Sequence, residues 1–284
     1  MKLIPLALFS ILIAGPAAAA AAPTVPSAPA APSDADWRTP DPGDILVIDT
    51  SKGRIFVELN GVAAPLAMDR VRELARKGFY NGRAFFRVID NFMDQTGDPL
   101  DNGTGGSPLP NLPPEFTFRR SGDMAFTAAS KQGGLDVGFI GSLPVISQSM
   151  DLGLLTNDNR VGAYATFCPG VAGMARADAP DTANSQFFLM RGANTALDQK
   201  YAVFGRVIGG LDVVRAIKTG EPPPPPADTM TTVRVLADMA APDRPQVRVI
   251  DTRGPWFKAL VGRMKAEKVV DFSACDIDLP SQIK

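Results

Sequence analysis

The chain has 284 residues, of which 45% are hydrophobic and 21% are charged. This composition is typical of a globular protein with a sizeable core, and it excludes a largely disordered chain. The 29 basic and 30 acidic residues give a formal net charge of −1, so no broad positive field favours nucleic acid as a partner.

The N-terminal residues have the order of a signal peptide. Lys2 precedes an apolar stretch over residues 3–14, and a break at Gly15-Pro16 leads into an alanine-rich run with many cleavage sites. The stretch is about a dozen residues long, short of the roughly 20 that a spanning helix needs, so no stable membrane insertion is expected after cleavage. Residues 1–22 are therefore predicted to be a signal peptide, with a periplasmic or secreted mature protein. Residues 23–42 are predicted to be an Ala/Pro-rich linker.

Residues 43–239 are predicted to form one domain that is mainly β. Two β-prone runs, 45–49 and 54–59, are separated by Ser51-Lys52-Gly53, which predicts a hairpin. A helix is expected from Pro65 to Gly78, because apolar residues recur there at helical spacing. Further strands are predicted over 84–88, 92–93, within 161–174, and over 186–190, 202–208 and 232–237, with a short helix over 211–218. Many short strands with few helices favour a closed barrel or a sandwich.

Two segments lie outside this pattern. Residues 119–160, rich in Gly, Ser and Asn, are expected to be a long inserted loop or a local subdomain. Residues 240–284 form a C-terminal extension with a β-like run at 247–250 and one amphipathic helix from Pro255. The apolar face of this helix comprises Phe257, Leu260, Val261 and Met264. We expect the extension to pack back on the barrel.

The sequence contains no histidine. This excludes Ser-His-Asp and Cys-His nucleophilic sites and most zinc sites, so neither a metal nor a cofactor is expected. Two cysteines, Cys168 and Cys275, are too few to act as a disulfide framework in a chain of this size. The sequence leaves open whether they pair in an oxidising compartment.

Two ordered motifs carry a family resemblance. The first, over residues 78–99, reads GFYNGRAFFRVIDNFMDQTGDP, and the second comprises GMAR at 173–176, NSQFFL at 184–189 and LDQKYAVFGRV at 197–207. Over residues 44 to about 239, apart from the inserted segment, the chain resembles the cyclophilins, a family of peptidyl-prolyl cis-trans isomerases. Tyr201 stands where many eukaryotic members have His. Bacterial cyclophilins share this replacement, so the chain resembles the bacterial secreted or periplasmic branch of the family.

The resemblance implies a closed eight-stranded antiparallel barrel with two capping helices and a shallow groove that binds an Xaa-Pro dipeptide. It implies that Arg87 is the catalytic residue. It further implies substrate-binding roles for Phe92, Met93, Phe188, Leu197 and Tyr201 in a proline pocket, for Gln95 and Gln186 beside it, and for Ala175 and Arg176 along a backbone edge.

Strand alternation refines these expectations. Phe187 is predicted to point into the core and Phe188 into the pocket. Met93 and Gln95 share one face of their strand, so Asp94 is predicted to point away from Arg87. If Asp94 faced Arg87 instead, the carboxylate would pair with the catalytic donor and weaken it.

The expected function is a monomeric isomerase that accelerates Xaa-Pro rotation in proline-containing polypeptides, including unfolded secreted proteins. Arg87 would stabilise the twisted amide without covalent chemistry. Two alternatives stay open at this point. One is a chaperone or binding module with this fold and little catalysis, and the other is a structural envelope protein that uses the fold as a scaffold.

Overall fold

The computed structural model describes residues 30–268 and 272–284, so the predicted signal peptide and residues 23–29 of the linker lie outside the described residues. Its strands are β1 (Trp37–Arg38), β2 (Ile45–Thr50), β3 (Gly53–Leu59), β4 (Arg83–Ala84), β5 (Arg87–Ile89), β6 (Met93–Thr96), β7 (Phe118–Arg120), β8 (Phe126–Gln132), β9 (Leu135–Ile140), β10 (Leu143–Gln148), β11 (Val161–Ala165), β12 (Val171–Met174), β13 (Phe187–Met190), β14 (Val203–Gly209), β15 (Thr229–Val235), β16 (Val247–Ile250) and β17 (Ser281–Ile283). The α-helices are α1 (Pro65–Arg76), α2 (Leu211–Ala216) and α3 (Pro255–Glu267). Short 3-10 helices occupy Asp34–Asp36, Pro42–Asp44, Met150–Leu155, Thr195–Leu197, Leu236–Asp238, Ala241–Asp243 and Ala274–Asp276.

The main sheet is a curled antiparallel half-barrel. Its nine strands follow the order β4-β15-β2-β3-β14-β12-β13-β6-β5. The edge strands β4 and β5 are joined by Phe85 and Phe86, which break the single strand predicted over 84–88. The Phe85 N–H donates to Asp228 O at 2.9 Å, whereas the Phe86 N–H donates to Gln95 O at 3.1 Å. The chain thus crosses from one edge to the other without a ladder between β4 and β5, and the prediction of a closed eight-stranded barrel is wrong.

The concave face of this sheet holds the main core. Leu46, Ile48, Ile55 and Val57 of the β2–β3 hairpin are fully buried there, with Ile48 opposite Ile55, and the predicted hairpin is confirmed. Helix α1 packs against this face through an apolar stripe that includes Val71 and Leu74. Pro65 begins the helix, and Gly78, at φ +67°, follows its end, so the predicted helix is confirmed.

The inserted segment is a second sheet: of the two predicted alternatives, the long loop is wrong and the local subdomain is correct. Strands β7 to β11 form a five-stranded antiparallel sheet in the order β7-β11-β10-β9-β8. The apolar pieces at 139–140 and 143–146 belong to β9 and β10, which pair as a hairpin with Leu143 opposite Ile140. Small and polar residues on the exposed positions make the segment resemble a loop in composition, although its backbone groups are paired in a ladder.

The C-terminal extension forms a third layer. Strand β16 pairs with β1 and β17, and Val247 and Val249 pack on the convex side of the β2–β3 hairpin. In α3, Phe257 and Val261 are buried and pack, with Leu260 and Met264, in the cluster that contains Phe139 of the insertion, which confirms the predicted apolar face. Within residues 30–268 and 272–284, no helix is long and apolar enough to cross a membrane.

Candidate active site

The candidate site lies on the convex face of the main sheet, opposite the core. Strand pairing sets Arg87 of β5 against Gln95 of β6, Gln95 against Phe188 of β13, and Phe188 against Gly173 of β12. Because side chains alternate along a strand, these residues form one row across four strands. Phe187, the neighbour of Phe188, is fully buried in the core on the other face, as predicted.

The row opens into a small cavity of about 110 Å³. Its lining consists of Arg87, Phe92, Met93, Gln95, Ala175, Arg176, Phe188, Leu197 and Tyr201. The cavity brings together every site residue that the sequence singles out except Gln186. Gln186 lines an adjoining polar cavity of about 340 Å³, which shares Gln95, Ala175 and Arg176 with the first and is bounded by the glycine-rich loop 103–106.

The floor of the small cavity is formed by Phe188 and Tyr201, and Phe167 supports both rings from below. The ring of Phe188 stacks on Phe167 with centroids 5.7 Å apart, and Tyr201 meets both rings edge-on at 5.8 and 6.5 Å. Both phenylalanine rings rest against Gly173, where an added Cβ would lie 2.8 Å from Phe188 and 2.9 Å from Phe167. The absence of a side chain at Gly173 therefore allows the two phenylalanine rings to stack in this way.

A half-buried carboxylate fixes the wall that carries Leu197. Asp198 accepts hydrogen bonds from the Phe167 N–H at 2.9 Å and from the Thr166 hydroxyl at 2.8 Å. Burial raises the pKa of Asp198 above its ordinary value. The turn that holds Leu197 is thus tied to the segment that holds the floor ring, and Cys168, next in the chain, forms a disulfide with Cys275 of the extension.

The Arg87 guanidinium stands at the polar side of the cavity, with its side chain 41% exposed. Its Nε donates to Glu221 Oε2 at 2.7 Å, and its Nη1 lies 3.5 Å from Gln95 Oε1. Gln95 donates in turn to Gln186 Oε1 at 3.0 Å, and Gln186 donates to Gly105 O at 2.8 Å. A continuous polar chain therefore runs from Glu221 through Arg87 to the glycine-rich loop.

A second arginine closes the rim between the two cavities. Arg176 donates from Nε to Lys200 O at 2.9 Å, and from Nη1 to Ala177 O at 2.8 Å and Asp178 O at 2.9 Å. Its guanidinium also lies over the Tyr201 ring, 4.7 Å from the centroid. These contacts hold the arginine flat against the wall, where it stacks on Tyr201 as a planar cation.

The structure confirms that Asp94 points away from Arg87. Its side chain is fully buried on the opposite face of β6, where Oδ1 accepts from Arg191 Nη1 at 3.1 Å. Burial raises the pKa of Asp94 to about 7, against the opposing effect of the Arg191 guanidinium. Asp94 is therefore separated from Arg87 by the sheet and does not compete for its donors.

Comparison with known proteins identifies the family. Residues 45–236 match the family model described as cyclophilin type peptidyl-prolyl cis-trans isomerase/CLD. The chain belongs to this family. This cyclophilin is 32% identical over 191 residues to a probable peptidyl-prolyl cis-trans isomerase of Brucella suis, covering 63% of its own length and 74% of that protein. It is 31% identical over 181 residues to peptidyl-prolyl cis-trans isomerase-like 1 of Homo sapiens, covering 64% and 81%.

A solved structure extends the likeness beyond the family domain. A crystal structure of a cyclophilin from Hirschia baltica superposes with a TM-score of 0.80 at 32% identity, covering 87% of this chain and 93% of that one. The superposition covers a larger part of this chain than residues 45–236, so it extends into segments outside the family domain. Family, relatives and fold together identify this cyclophilin as a peptidyl-prolyl cis-trans isomerase.

Two residues of the cyclophilin site are missed by sequence reasoning. Phe167 supports the cavity floor, yet its position in an apolar run before Cys168 does not distinguish it from an ordinary core residue. Glu221 pairs with Arg87, but it precedes a run of prolines that gives no indication of a site. Both side chains become recognisable only through the fold, because each lies far along the chain from Arg87.

Proposed function

We propose that Arg87 catalyses the isomerisation by donating a hydrogen bond to the prolyl nitrogen of the twisted Xaa-Pro amide. Rotation about a peptide bond meets a barrier of about 18–20 kcal/mol because the C–N bond has partial double-bond character. Conjugation is lost as the bond twists, so the nitrogen becomes a better acceptor. A donor aimed at that nitrogen then binds the transition state more strongly than the ground state, which is the condition for catalysis.

One observation carries the proposal: Arg87 lines the same cavity as the apolar side chains of Phe92, Met93 and Phe188. In the described part of the chain, Arg87 Nη2 has no hydrogen-bond partner, so this donor is available to a substrate. Arginine stays charged at any working pH and presents its donors in a rigid plane. No proton transfer is needed, which suits a chain without histidine.

The remaining residues are proposed to bind and orient the substrate. Phe92, Met93, Phe188 and Leu197 would enclose the proline ring, with Tyr201 across the floor. Gln95 and Gln186 would bind polar groups beside it, and the backbone of Ala175 and Arg176 would align the chain that precedes or follows the proline. Support for this arrangement comes from the shared lining of the two cavities, which meet at Gln95, Ala175 and Arg176.

The test is a protease-coupled isomerisation assay on a short Xaa-Pro peptide. Arg87→Ala is expected to lower kcat/KM by about a hundredfold, since a preorganised donor contributes roughly 2.7–4 kcal/mol in other enzymes. Arg87→Lys keeps the charge but loses the planar fork, so its kcat/KM is expected to lie between those of wild type and Arg87→Ala. Circular dichroism verifies folding. An Arg87→Ala variant as fast as wild type would refute the role, and a wild-type rate at background would indicate a binding module.

We further propose that this cyclophilin belongs to the bacterial secreted branch and acts as a monomer on unfolded secreted polypeptides in the periplasm or outside the cell. The Cys168–Cys275 disulfide supports an oxidising compartment, in agreement with the signal-peptide pattern of residues 1–22. Intact mass of the protein from the periplasmic fraction should correspond to a chain cut near residues 20–22. An uncut chain in the cytosol would contradict this localisation, and sedimentation would check the monomer.

A further inference from the structure

A carboxylate that no motif includes contacts the proposed catalytic arginine. Glu221 Oε2 accepts from Arg87 Nε at 2.7 Å, across 134 positions of sequence. The inference drawn here rests on the proposed role of Arg87. The contribution of this ion pair to the folding stability of the protein is too small to account for the contact, so we consider its effect on the reaction. The two side chains are 41% and 51% exposed, and ion pairs at such exposure contribute little to folding.

The backbone beside Glu221 is paired to the strand that carries Arg87. Gly220, which precedes Glu221, and Val88, which follows Arg87, exchange two backbone hydrogen bonds of 2.8 Å each. The backbone next to Glu221 is thus fixed against the backbone next to Arg87. Lys218 holds the same segment from behind, because its N–H donates to Asp228 Oδ2 at 2.8 Å and its Nζ donates to Pro226 O at 2.8 Å. The carboxylate is therefore presented to Arg87 by a segment that is fixed on both sides.

The two contacts of the guanidinium determine the direction of its free donor. Because the group is planar, an acceptor at Nε and another at Nη1 fix the plane and leave Nη2 pointing one way. Glu221 occupies Nε, and Gln95 lies 3.5 Å from Nη1. An arginine side chain of this exposure would otherwise sample several rotamers, and holding one rotamer in advance removes that entropy from the reaction.

Glu221 itself stands apart from the proline cavity. It lines a separate cavity of about 510 Å³ with Phe86, Asp101, Asn102, Gly103 and Pro222, on which Arg87 and Gln95 also border. It is absent from the lining of the 110 Å³ cavity. A side chain that contacts the arginine without lining the substrate pocket can change the rate of the chemical step while leaving substrate affinity unchanged.

We propose that Glu221 is a positioning residue that holds the Arg87 guanidinium in its plane, with Nη2 directed at the site of the prolyl nitrogen. Its effect is exerted through Arg87 and depends on the acceptor oxygen more than on the negative charge. The carboxylate would thus raise kcat and leave KM nearly unchanged.

The first experiment separates kcat from KM for Glu221→Ala and Glu221→Gln. Glu221→Ala is expected to lower kcat about five- to tenfold, the range for loss of one aligned hydrogen bond, with KM within about twofold of wild type. Glu221→Gln is expected to stay within about twofold in both, because its amide oxygen still accepts from Nε. Glu73→Ala, which removes an exposed partner of Lys77 far from the site, serves as the matched control. An unchanged Glu221→Ala enzyme, or one altered in KM alone, would overturn the proposal.

The second experiment is a double-mutant cycle with Arg87→Ala, read together with the Arg87 Nε–H resonance of the 15N-labelled protein. In the Arg87→Ala background, Glu221→Ala should change kcat by less than about twofold, since the residue that it orients is gone. In Glu221→Ala with Arg87 intact, the Nε–H signal of Arg87 should lose its protection from solvent exchange. In Glu221→Gln it should keep that protection. Equal losses in both backgrounds would mean that Glu221 acts on substrate directly and would overturn this proposal alone. Wild-type activity in Arg87→Ala would instead refute the proposed role of Arg87.

Discussion

Replacing Gly173 by alanine tests whether the two stacked phenylalanine rings determine the shape of the proline cavity. Gly173 lies in β12 beside a register shift against β14, and its φ is not in the left-handed region, so alanine is compatible with its conformation. The new Cβ would lie 2.8 Å from Phe188 Cζ and 2.9 Å from Phe167 Cε1, closer than real Cβ atoms approach their neighbours. Because the backbone is held in ladders on both sides by β13 and β14, the rings must move instead.

The cost follows from the burial of the rings. Phe167 is fully buried and Phe188 is 5% exposed, so moving either ring disturbs other buried side chains. Overpacking of this kind costs about 1–3 kcal/mol, which lowers Tm by about 3 °C for each kcal/mol in a domain of this size. Displacement of Phe188 by a few tenths of an ångström also tilts the surface that we propose binds the proline ring. We expect kcat/KM to fall about tenfold, since misplacement by 1 Å costs up to about a hundredfold.

Thermal unfolding and the isomerisation assay measure the two effects separately. Gly262→Ala is the control, because its Cβ meets no atom within 4 Å and the position lies inside α3. It should raise stability by up to about 1 kcal/mol through helix propensity and leave the isomerase rate unchanged. A Gly173→Ala protein with wild-type Tm and with kcat/KM within about twofold would show that the rings do not depend on this glycine, and the account of the cavity floor would be wrong.

Two further predictions concern stability. Replacing Cys168 and Cys275 together by alanine removes a link between residues 107 apart, and the chain-entropy relation gives a loss of at most about 4.7 kcal/mol. Urea unfolding should show a clearly lower midpoint, and equal midpoints would contradict a stabilising bridge. For Asp94, burial raises the pKa from 3.8 to about 7, so between these values the native protein binds more protons than the unfolded chain. The Asp94 contribution therefore makes the unfolding free energy fall as pH rises from about 4 to 7. Asp94→Asn should flatten that slope in urea titrations across the same range, whereas an unaltered slope would refute the assignment.

The sequence predicts those parts of the fold that depend on neighbouring residues. The β2–β3 hairpin follows from two β-prone runs around Ser51-Lys52-Gly53, and α1 begins at Pro65 and ends before Gly78. Alternation also assigns Phe187 to the core and Asp94 to the face away from Arg87. In each case a period of two or about 3.6 residues, or one conformationally special residue, determines the outcome.

The sequence leaves a loop and a local subdomain open for the inserted segment, and the individual strands escape prediction because they lack that periodic contrast. In β8, the buried positions are Thr127 and Ala129 and the exposed ones include Ala128, so small residues occupy both faces. A pattern of polar and small residues is equally typical of a loop, and only the pairing with β9 distinguishes the two. The open form of the main sheet is missed for a related reason: Phe85 and Phe86 continue an apolar run, but the N–H of Phe85 bonds to Asp228 and that of Phe86 to Gln95, at opposite edges of the sheet.

The residues of the candidate site also fall into two groups: those that local sequence predicts and those that depend on distant segments. The row of Arg87, Gln95 and Phe188 follows from motifs and strand register, because each residue lies on a strand whose face is set locally. The groups that contact this row from distant parts of the chain are Phe167, which supports the floor from the segment after β11, and Glu221, which reaches Arg87 from 134 positions away. A motif therefore specifies which side chains line the cavity, whereas the precision of their placement depends on contacts between distant segments. Variation in rate among proteins with the same motif should consequently arise at positions such as these two.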